Sequence, residues 1–408
     1  MKITNYEDTG LMELNEFLKE STSNRYNFDK ATIKELLKPY NVAFCLEKIN
    51  RLQSMLICEL GDSYVQQSQR YVEVVEESYY VPKLNKEDKK IYIYLANKGF
   101  ELYKKMSELE NGNYKHNIPI EDARYVLPLN TYTNISIAMN ASKLYDMFEL
   151  FNNNVLQAAF KDIKEALLEL IPDELRILLK NVTYGKSSAF IEIYYKKLFD
   201  KISPENPVIE LNRFQNQEIR IGFGSLTSTQ SKTTSELMNE LGDEIVEKAH
   251  ELTQKVIEDG HVGVTEQARY TYGLMFSLCS YHQQIRYRLP INHRETIADI
   301  LRDNNRKFYI PASIEKSIFK DEYIDYINEV KSFRNYLFNN YNVSTAALFL
   351  LNCDSIKQIS STNARIDCDI IKSILSPAAQ WEIKEVYQKK LDILSSQSPT
   401  IYNHSKTD

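Results

Sequence analysis

The sequence predicts an α+β chain of two tandem domains with long helices. Three observations lead there. Four stretches carry apolar residues at helical spacing. Shorter stretches rich in Tyr, Thr, Ile and Phe read as strands. The two halves of the 408-residue chain echo one another.

The first helix is expected over 86–110, marked by Ile91, Tyr94, Leu95, Phe100, Tyr103 and Met106. A second spans 155–171, with Val155, Ala159, Phe160, Ile163, Leu167 and Leu170 on one stripe. A third runs over 235–258, where Leu237, Leu241, Ile245, Ala249, Leu252 and Val256 recur, and Thr233 with Glu236 forms a capping box at its start. The fourth is 378–395. Strands are expected at 132–139, 270–278 and 345–351. Residues 203–232 hold Pro204, Pro207, Gly222, Gly224 and a Ser/Thr cluster, which reads as a boundary between domains 1–202 and 233–408.

The echo is between residues 121–142 and 332–355. It pairs Arg124 with Arg334, Leu127 with Leu337, Thr133 with Thr345 and Asn140 with Asn352, given a two-residue insertion. Residues 156–163 likewise echo 379–386. A period of roughly 190 residues is too long for a solenoid and implies two domains.

Apolar residues make up 43% of the chain and the net charge is −6, which gives no general attraction for nucleic acid or acidic membranes. Any phosphate must be held by a local arginine cluster. The five cysteines form no CxxC pair and read as free thiols in a reducing cytoplasm. The first ten residues lack the apolar core of a signal peptide, and no apolar run approaches a bilayer's thickness. The six histidines show no HxxxH or HExxH spacing, so no metal site is expected.

Three segments carry chemistry. Ser63-Tyr-Val-Gln66-Gln-Ser68-Gln-Arg70-Tyr71 packs hydroxyls, an amide and a guanidinium into nine residues. These groups hold phosphates and carboxylates, and on an extended strand Gln66, Ser68 and Arg70 would project together. A polar surface loop is the bland alternative. Gly260-His261 through Glu266 is followed by Gln283 and by Arg286-Tyr287-Arg288, whose two cations suit phosphates or an electron-rich ring. Here the bland alternative is a residue ending a helix and a solvated strand face. Ala123-Arg124-Tyr-Val-Leu-Pro128 places one more arginine before an apolar turn.

Together these segments resemble the flavin-dependent thymidylate synthase family, over most of the chain and once per half. That family carries RHR followed by a Ser and a Glu-x-Ser-x-Arg-Tyr run. It also carries a Gly-His segment, an Ala-Arg-x-x-Leu-Pro turn, an Asn-x-Arg and an Ala-Gln-Trp-Glu-Ile helix. The copies look complementary. The first keeps Ser63, Gln66 (for Glu), Ser68, Arg70 and Arg124 but has Cys58-Glu59-Leu60 in place of RHR. The second keeps His261, Glu266, Gln283 and Arg286-Tyr287-Arg288 but has Ile291-Asn-His-Arg where the serine run would fall. The Asn-x-Arg becomes Asn140-Ala-Ser142 and Asn352-Cys-Asp354 in this pairing. A later family arginine becomes Phe151 in the first copy, with Arg365 its candidate in the second.

The resemblance implies that FAD relays a one-carbon unit from methylene-tetrahydrofolate to dUMP, giving dTMP, with NADPH as reductant. Such chemistry is the cofactor's, and the protein aligns and polarises. Ser63, Gln66, Ser68, Arg70, Arg124 and Gln283 would bind the nucleotide. His261, Arg286, Arg288, Asn140 and Asn352 would hold the flavin. Arg124, Gln283 and Arg286 would act at the reacting pyrimidine. The resemblance also implies that each domain is a mixed or antiparallel sheet packed with long helices, and the family's tetramers imply a homodimer of fused pairs. The alternative is a degenerate paralogue that binds nucleotide and flavin without turnover, or a synthase acting on a related pyrimidine nucleotide.

Overall fold

The computed structural model describes residues 1–21, 27–74, 78–185 and 189–402; His404 lies outside them. The chain forms two compact units. One comprises Met1–Ser187 and Thr296–Asp354, the other Ser188–Glu295 and Ser355–Asp408. Each contains one four-stranded sheet in which every paired neighbour is antiparallel. The fold is therefore α+β with antiparallel sheets and many helices.

Strands of the two sheets are numbered here β1 to β8. The first unit has β1 (Lys2–Asp8), β2 (Asn41–Asn50), β3 (Ser63–Gln66) and β4 (Tyr132–Asn140), in the order β1-β2-β4-β3. Along β4, Thr133, Ile135, Ile137 and Met139 are buried while Asn134, Ser136 and Ala138 face out, the alternation of a half-covered sheet. β2 runs into the helix Arg51–Cys58, where Asn50 and Gln53 form a reciprocal capping box. Two 21-residue helices, Lys86–Met106 and Lys320–Asn340, also belong to this unit. Lys98 pairs with Glu329 and Lys105 with Glu322, so the helices run antiparallel.

The second unit has β5 (Val208–Arg213), β6 (Arg269–Ser277), β7 (Ile291–Arg294) and β8 (Ser355–Asn363), in the order β5-β6-β8-β7. Taken in chain order, the strands of both sheets are arranged first, second, fourth, third. β6 is buried continuously over its last six residues, because the sheet is covered on both faces. The helix Trp381–Gln397 packs against it. Lys390 of that helix bonds Asp367 at 2.7 Å, and each side chain is 1% exposed. Tyr270, Tyr272 and Tyr387 ring the ammonium, and Tyr270 also donates to Asp367.

Several expectations are corrected. The boundary stretch 203–232 contains β5 and the helix Gln217–Thr229. Gly222 lies within that helix because a Cβ there would come 2.8 Å from the Ala249 backbone of the neighbouring helix, Ile245–Glu258. The helix expected over 235–258 is two helices, Thr234–Leu241 and Ile245–Glu258, joined by a 3₁₀ turn; its Thr233/Glu236 capping box is present. The first long helix stops at Met106, and residues 109–114 form a small hairpin. Residues 345–351 are no strand. Val343–Ala347 is a short helix ending in a buried turn, and the strand follows at Ser355. No described helix is long and apolar enough to cross a membrane.

Candidate functional site

In the first unit, β3 ends at Gln66 and the chain turns. Arg70 therefore does not share a strand face with Gln66. Its backbone N–H donates to Ser68 Oγ at 3.1 Å, and Val72 N–H donates to the Ser68 carbonyl at 3.0 Å. The Arg70 guanidinium lies 2.7 Å from the Glu121 carboxylate. Arg124, 4% exposed, donates from Nε to the Glu121 carbonyl at 3.0 Å. One residue thus meets both arginines, by side chain to one and backbone to the other. Arg51, which sequence reasoning passed over, is also buried in this unit and donates to the Gln67 carbonyl at 3.2 Å, three residues before Arg70. Its only signal was a charge among apolar residues at a helix start. Burial pushes the nearby Tyr103 phenol up to about 12. Ser63 is exposed on the edge strand β3.

Asn140 ends β4. Its amide donates to the Lys38 and Tyr40 carbonyls and accepts from the Ser142 N–H and hydroxyl. Its side chain is thus spent on joining the end of β4 to the chain entering β2 and on the turn at Ser142. Asn352 is elsewhere in this unit, 1% exposed, with its amide donating to Gln69 and to the Arg124 carbonyl.

In the second unit, the helix Ile245–Glu258 ends in a Schellman turn. Gly260 takes φ +76°, its N–H donates to Ile257, and His261 N–H donates to the Val256 carbonyl at 2.9 Å. The His261 and Glu266 side chains are exposed. Ser277 caps the helix Leu278–Gln284, and Arg286 and Arg288 follow its end, both exposed, Arg286 in the turn that closes the helix and Arg288 in irregular chain beyond it, neither on a strand. Gln283 is buried and donates to the Gln380 Oε1 at 2.5 Å, which also accepts from Ser280. Its amide is committed to the start of the Trp381–Gln397 helix. A groove of about 610 Å³ in this unit is lined by Arg220, Phe223, Thr227 and Gln267. It includes none of the expected site residues, and only Gln267 adjoins one.

Strand register corrects the pairing of the halves. Asn41 faces Asn140 across β2 and β4, and Arg269 faces Asn363 across β6 and β8. Ala141 N–H then donates to Tyr40 and Ala364 N–H to Ala268, each just beyond its strand. The partner of Asn140-Ala-Ser142 is therefore Asn363-Ala-Arg365, not Asn352-Cys-Asp354. Arg365 stands in the Asn-x-Arg place, and not in that of the later arginine. Counting on from each asparagine, the residue matching Phe151 is Ile374; both close their helices and both are buried. Arg334 is no counterpart of Arg124 either. It lies on the Lys320–Asn340 helix in a buried ion pair with Asp354.

The same register matches β3 to β7. Ser63 faces Ala138 and Gln66 faces Ile135, while Ile291 faces Ser361 and Arg294 faces Gln358. Ser63, Ser68 and Arg70 correspond to Ile291, Thr296 and Ala298. Arg286, Arg288 and Arg365 correspond to Cys58, Leu60 and Ser142.

A family model described as "Thymidylate synthase complementing protein" matches residues 53–175 and 211–400. Three curated relatives bear the name flavin-dependent thymidylate synthase. That of Sulfurisphaera tokodaii is 37% identical over 111 residues, covering 26% of this chain and 40% of the relative. That of Saccharolobus solfataricus is 39% identical over 110 residues, with the same two shares. That of Pyrococcus abyssi is 31% identical over 163 residues, covering 37% and 64%. The chain thus spans less than two thirds of the length of these relatives. A crystal structure of the Helicobacter pylori flavin dependent thymidylate synthase complexed with FAD and dUMP covers 49% of this chain and 99% of its own, at 16% identity and a TM-score of 0.40, too slight a likeness to carry an argument. The two stretches of the family match take in most of the chain, which belongs to the thymidylate synthase complementing protein family, the flavin-dependent thymidylate synthases.

Proposed function

We propose that this chain is a tandemly duplicated flavin-dependent thymidylate synthase in which each copy has kept one ligand-binding edge. The first unit binds a pyrimidine nucleotide, dUMP, through Ser68, Arg70 and Arg124. The second binds FAD through His261, Arg286, Arg288, Asn363 and Arg365. The observation that carries this reading is the complementary loss. Wherever register matches a cation or hydroxyl of one edge to the other copy, an apolar or small residue stands there, with Thr296 the exception.

The donor sets suit these ligands. Arg124 Nη2 is a buried donor with no hydrogen-bond partner among the described residues, and a phosphate oxygen would satisfy it. The exposed Arg286 and Arg288 guanidinia, with Arg365, offer planar cations to a dinucleotide's phosphates and ring. Bound FAD would supply the redox and one-carbon chemistry, with methylene-tetrahydrofolate and NADPH as co-substrates. The residues of this chain would hold the nucleotide phosphate, orient the pyrimidine and polarise its carbonyls as negative charge develops.

A second reading is favoured by Phe151 and Ile374. Both halves bury an apolar side chain where the family carries its later arginine. Loss of such a group from an active site costs about 2–4 kcal/mol of transition-state stabilisation. The chain would then bind both ligands without turnover. Calorimetric titration of Arg70→Ala and Arg286→Ala tests the first reading: the former should lose dUMP and keep FAD, the latter the reverse. Equal, negligible effects on both ligands would remove it. Tritium release from 5-tritiated dUMP, with NADPH and methylene-tetrahydrofolate, separates the synthase from the silent binder.

A further inference from the structure

Asn352 comes from the second half of the chain yet is buried in the first unit. Its backbone N–H donates to the Leu127 carbonyl at 2.9 Å. Its amide nitrogen donates to Gln69 Oε1 at 3.1 Å and to the Arg124 carbonyl at 2.9 Å. Gln69 lies between Ser68 and Arg70. One side chain therefore ties the turn bearing Arg70 to the turn bearing Arg124.

Two further facts single it out. By strand register Asn352 corresponds to Leu129, which is fully buried and apolar. A polar amide in such a place is retained at a desolvation cost that leucine would not incur. Moreover, the two segments it joins each hold a buried donor without a hydrogen-bond partner among the described residues, Gln69 Nε2 and Arg124 Nη2. Buried donors left unmatched point to an acceptor brought by a ligand or by water. Because Asn352 engages the Gln69 oxygen, it fixes which end of that amide carries the free donor.

We infer that Asn352 is a positioning residue for oxyanion recognition in the first unit, holding Gln69 and Arg124 ready for the phosphate monoester of a nucleotide. The inference rests on the nucleotide-binding reading above and reassigns Asn352 from flavin to phosphate. It also makes the second half of the chain part of the first half's anion site.

The test is calorimetric titration of full-length Asn352→Leu, Asn352→Ser and Arg70→Ala proteins with dUMP and with deoxyuridine, which lacks the phosphate. Thermal melting identifies any variant that fails to fold, and the serine variant serves if the leucine variant does. Loss of a hydrogen-bonded support to a charged contact should weaken dUMP by about ten-fold or more, with deoxyuridine affinity unchanged. If the folded Asn352 variants bind dUMP like wild type while Arg70→Ala does not, this inference is overturned and the nucleotide site stands. Equal losses for dUMP and deoxyuridine would also overturn it. If Arg70→Ala binds dUMP like wild type, the nucleotide reading fails and this inference with it.

Discussion

Asn352 N–H donates to the Leu127 carbonyl at 2.9 Å, and Leu129 N–H donates to the Leu350 carbonyl at 2.8 Å. Counted back from the ends of β4 and β8, Leu127 matches Leu350 and Leu129 matches Asn352. The two bonds are thus the same bond made in both directions, as across a two-fold axis. The antiparallel Lys98–Glu329 and Lys105–Glu322 pairs follow suit. Within the first unit, residues of the second half take the place that a second copy would fill in an isologous dimer, which supports the proposed duplication.

Gly222→Ala should destabilise the second unit. Exchanging glycine for alanine in a helix gains about 1 kcal/mol. The new Cβ, however, would lie 2.8 Å from the Cα and carbonyl of Ala249, and backbone cannot swing aside. Overpacking of this kind costs about 1–3 kcal/mol. A lower urea midpoint than wild type is the expected result; a higher one would mean that propensity wins.

Lys390→Met leaves Asp367 buried with its counter-charge gone. Breaking such a pair costs about 3–5 kcal/mol. The double variant Lys390→Met/Asp367→Leu should recover most of that loss, because both charges leave together. Chemical denaturation of the single and double variants measures the difference. A single variant as stable as wild type would contradict the account.

His293 lies against Tyr195 with ring centroids 3.8 Å apart and the rings tilted by 31°. Desolvation of the ring, and then the Arg294 charge, hold its pKa below the ordinary 6.5, although the residue as a whole keeps exposed surface. The folded state therefore takes up the proton less readily than the unfolded chain. Above pH 6.5 the neutral ring contributes no pH dependence. As pH falls below that value, the unfolded state protonates first and stability declines, until the folded pKa is passed. Wild type should lose stability relative to His293→Phe over this window, measured as the difference in denaturation midpoint against pH. A difference that does not change with pH would contradict the assignment.

The amino-acid pattern announced some of this structure and concealed the rest. β4 and most of β6 were legible because aromatic and β-branched residues gather there between turn residues. The Thr233/Glu236 cap was legible because its chemistry is local. β8 was not, since SIKQISSTN reads as polar although Gln358, Ser360 and Thr362 are buried in the sheet. The apolar run just before it looked like the strand, and a short apolar run cannot by itself distinguish a strand from a buried helical turn. That slip carried Asn352 into the place of Asn363 and hid the Asn-x-Arg at Arg365. Ser68, Arg70 and Arg124 were nominated by residue type. Glu121, which meets both arginines, and Arg51 required tertiary contacts that sequence spacing does not encode.

The central claim is that the flavin-binding edge survives in the second half alone. Its most direct test is an equilibrium FAD titration, followed by visible absorbance, of wild type, Arg365→Ala and Ser142→Ala. Wild type should take up FAD, Arg365→Ala should bind it about ten-fold or more weakly through loss of a charged contact, and Ser142→Ala should match wild type. A wild-type protein that stays colourless with FAD, or an Arg365→Ala protein that binds it undiminished, would contradict the account.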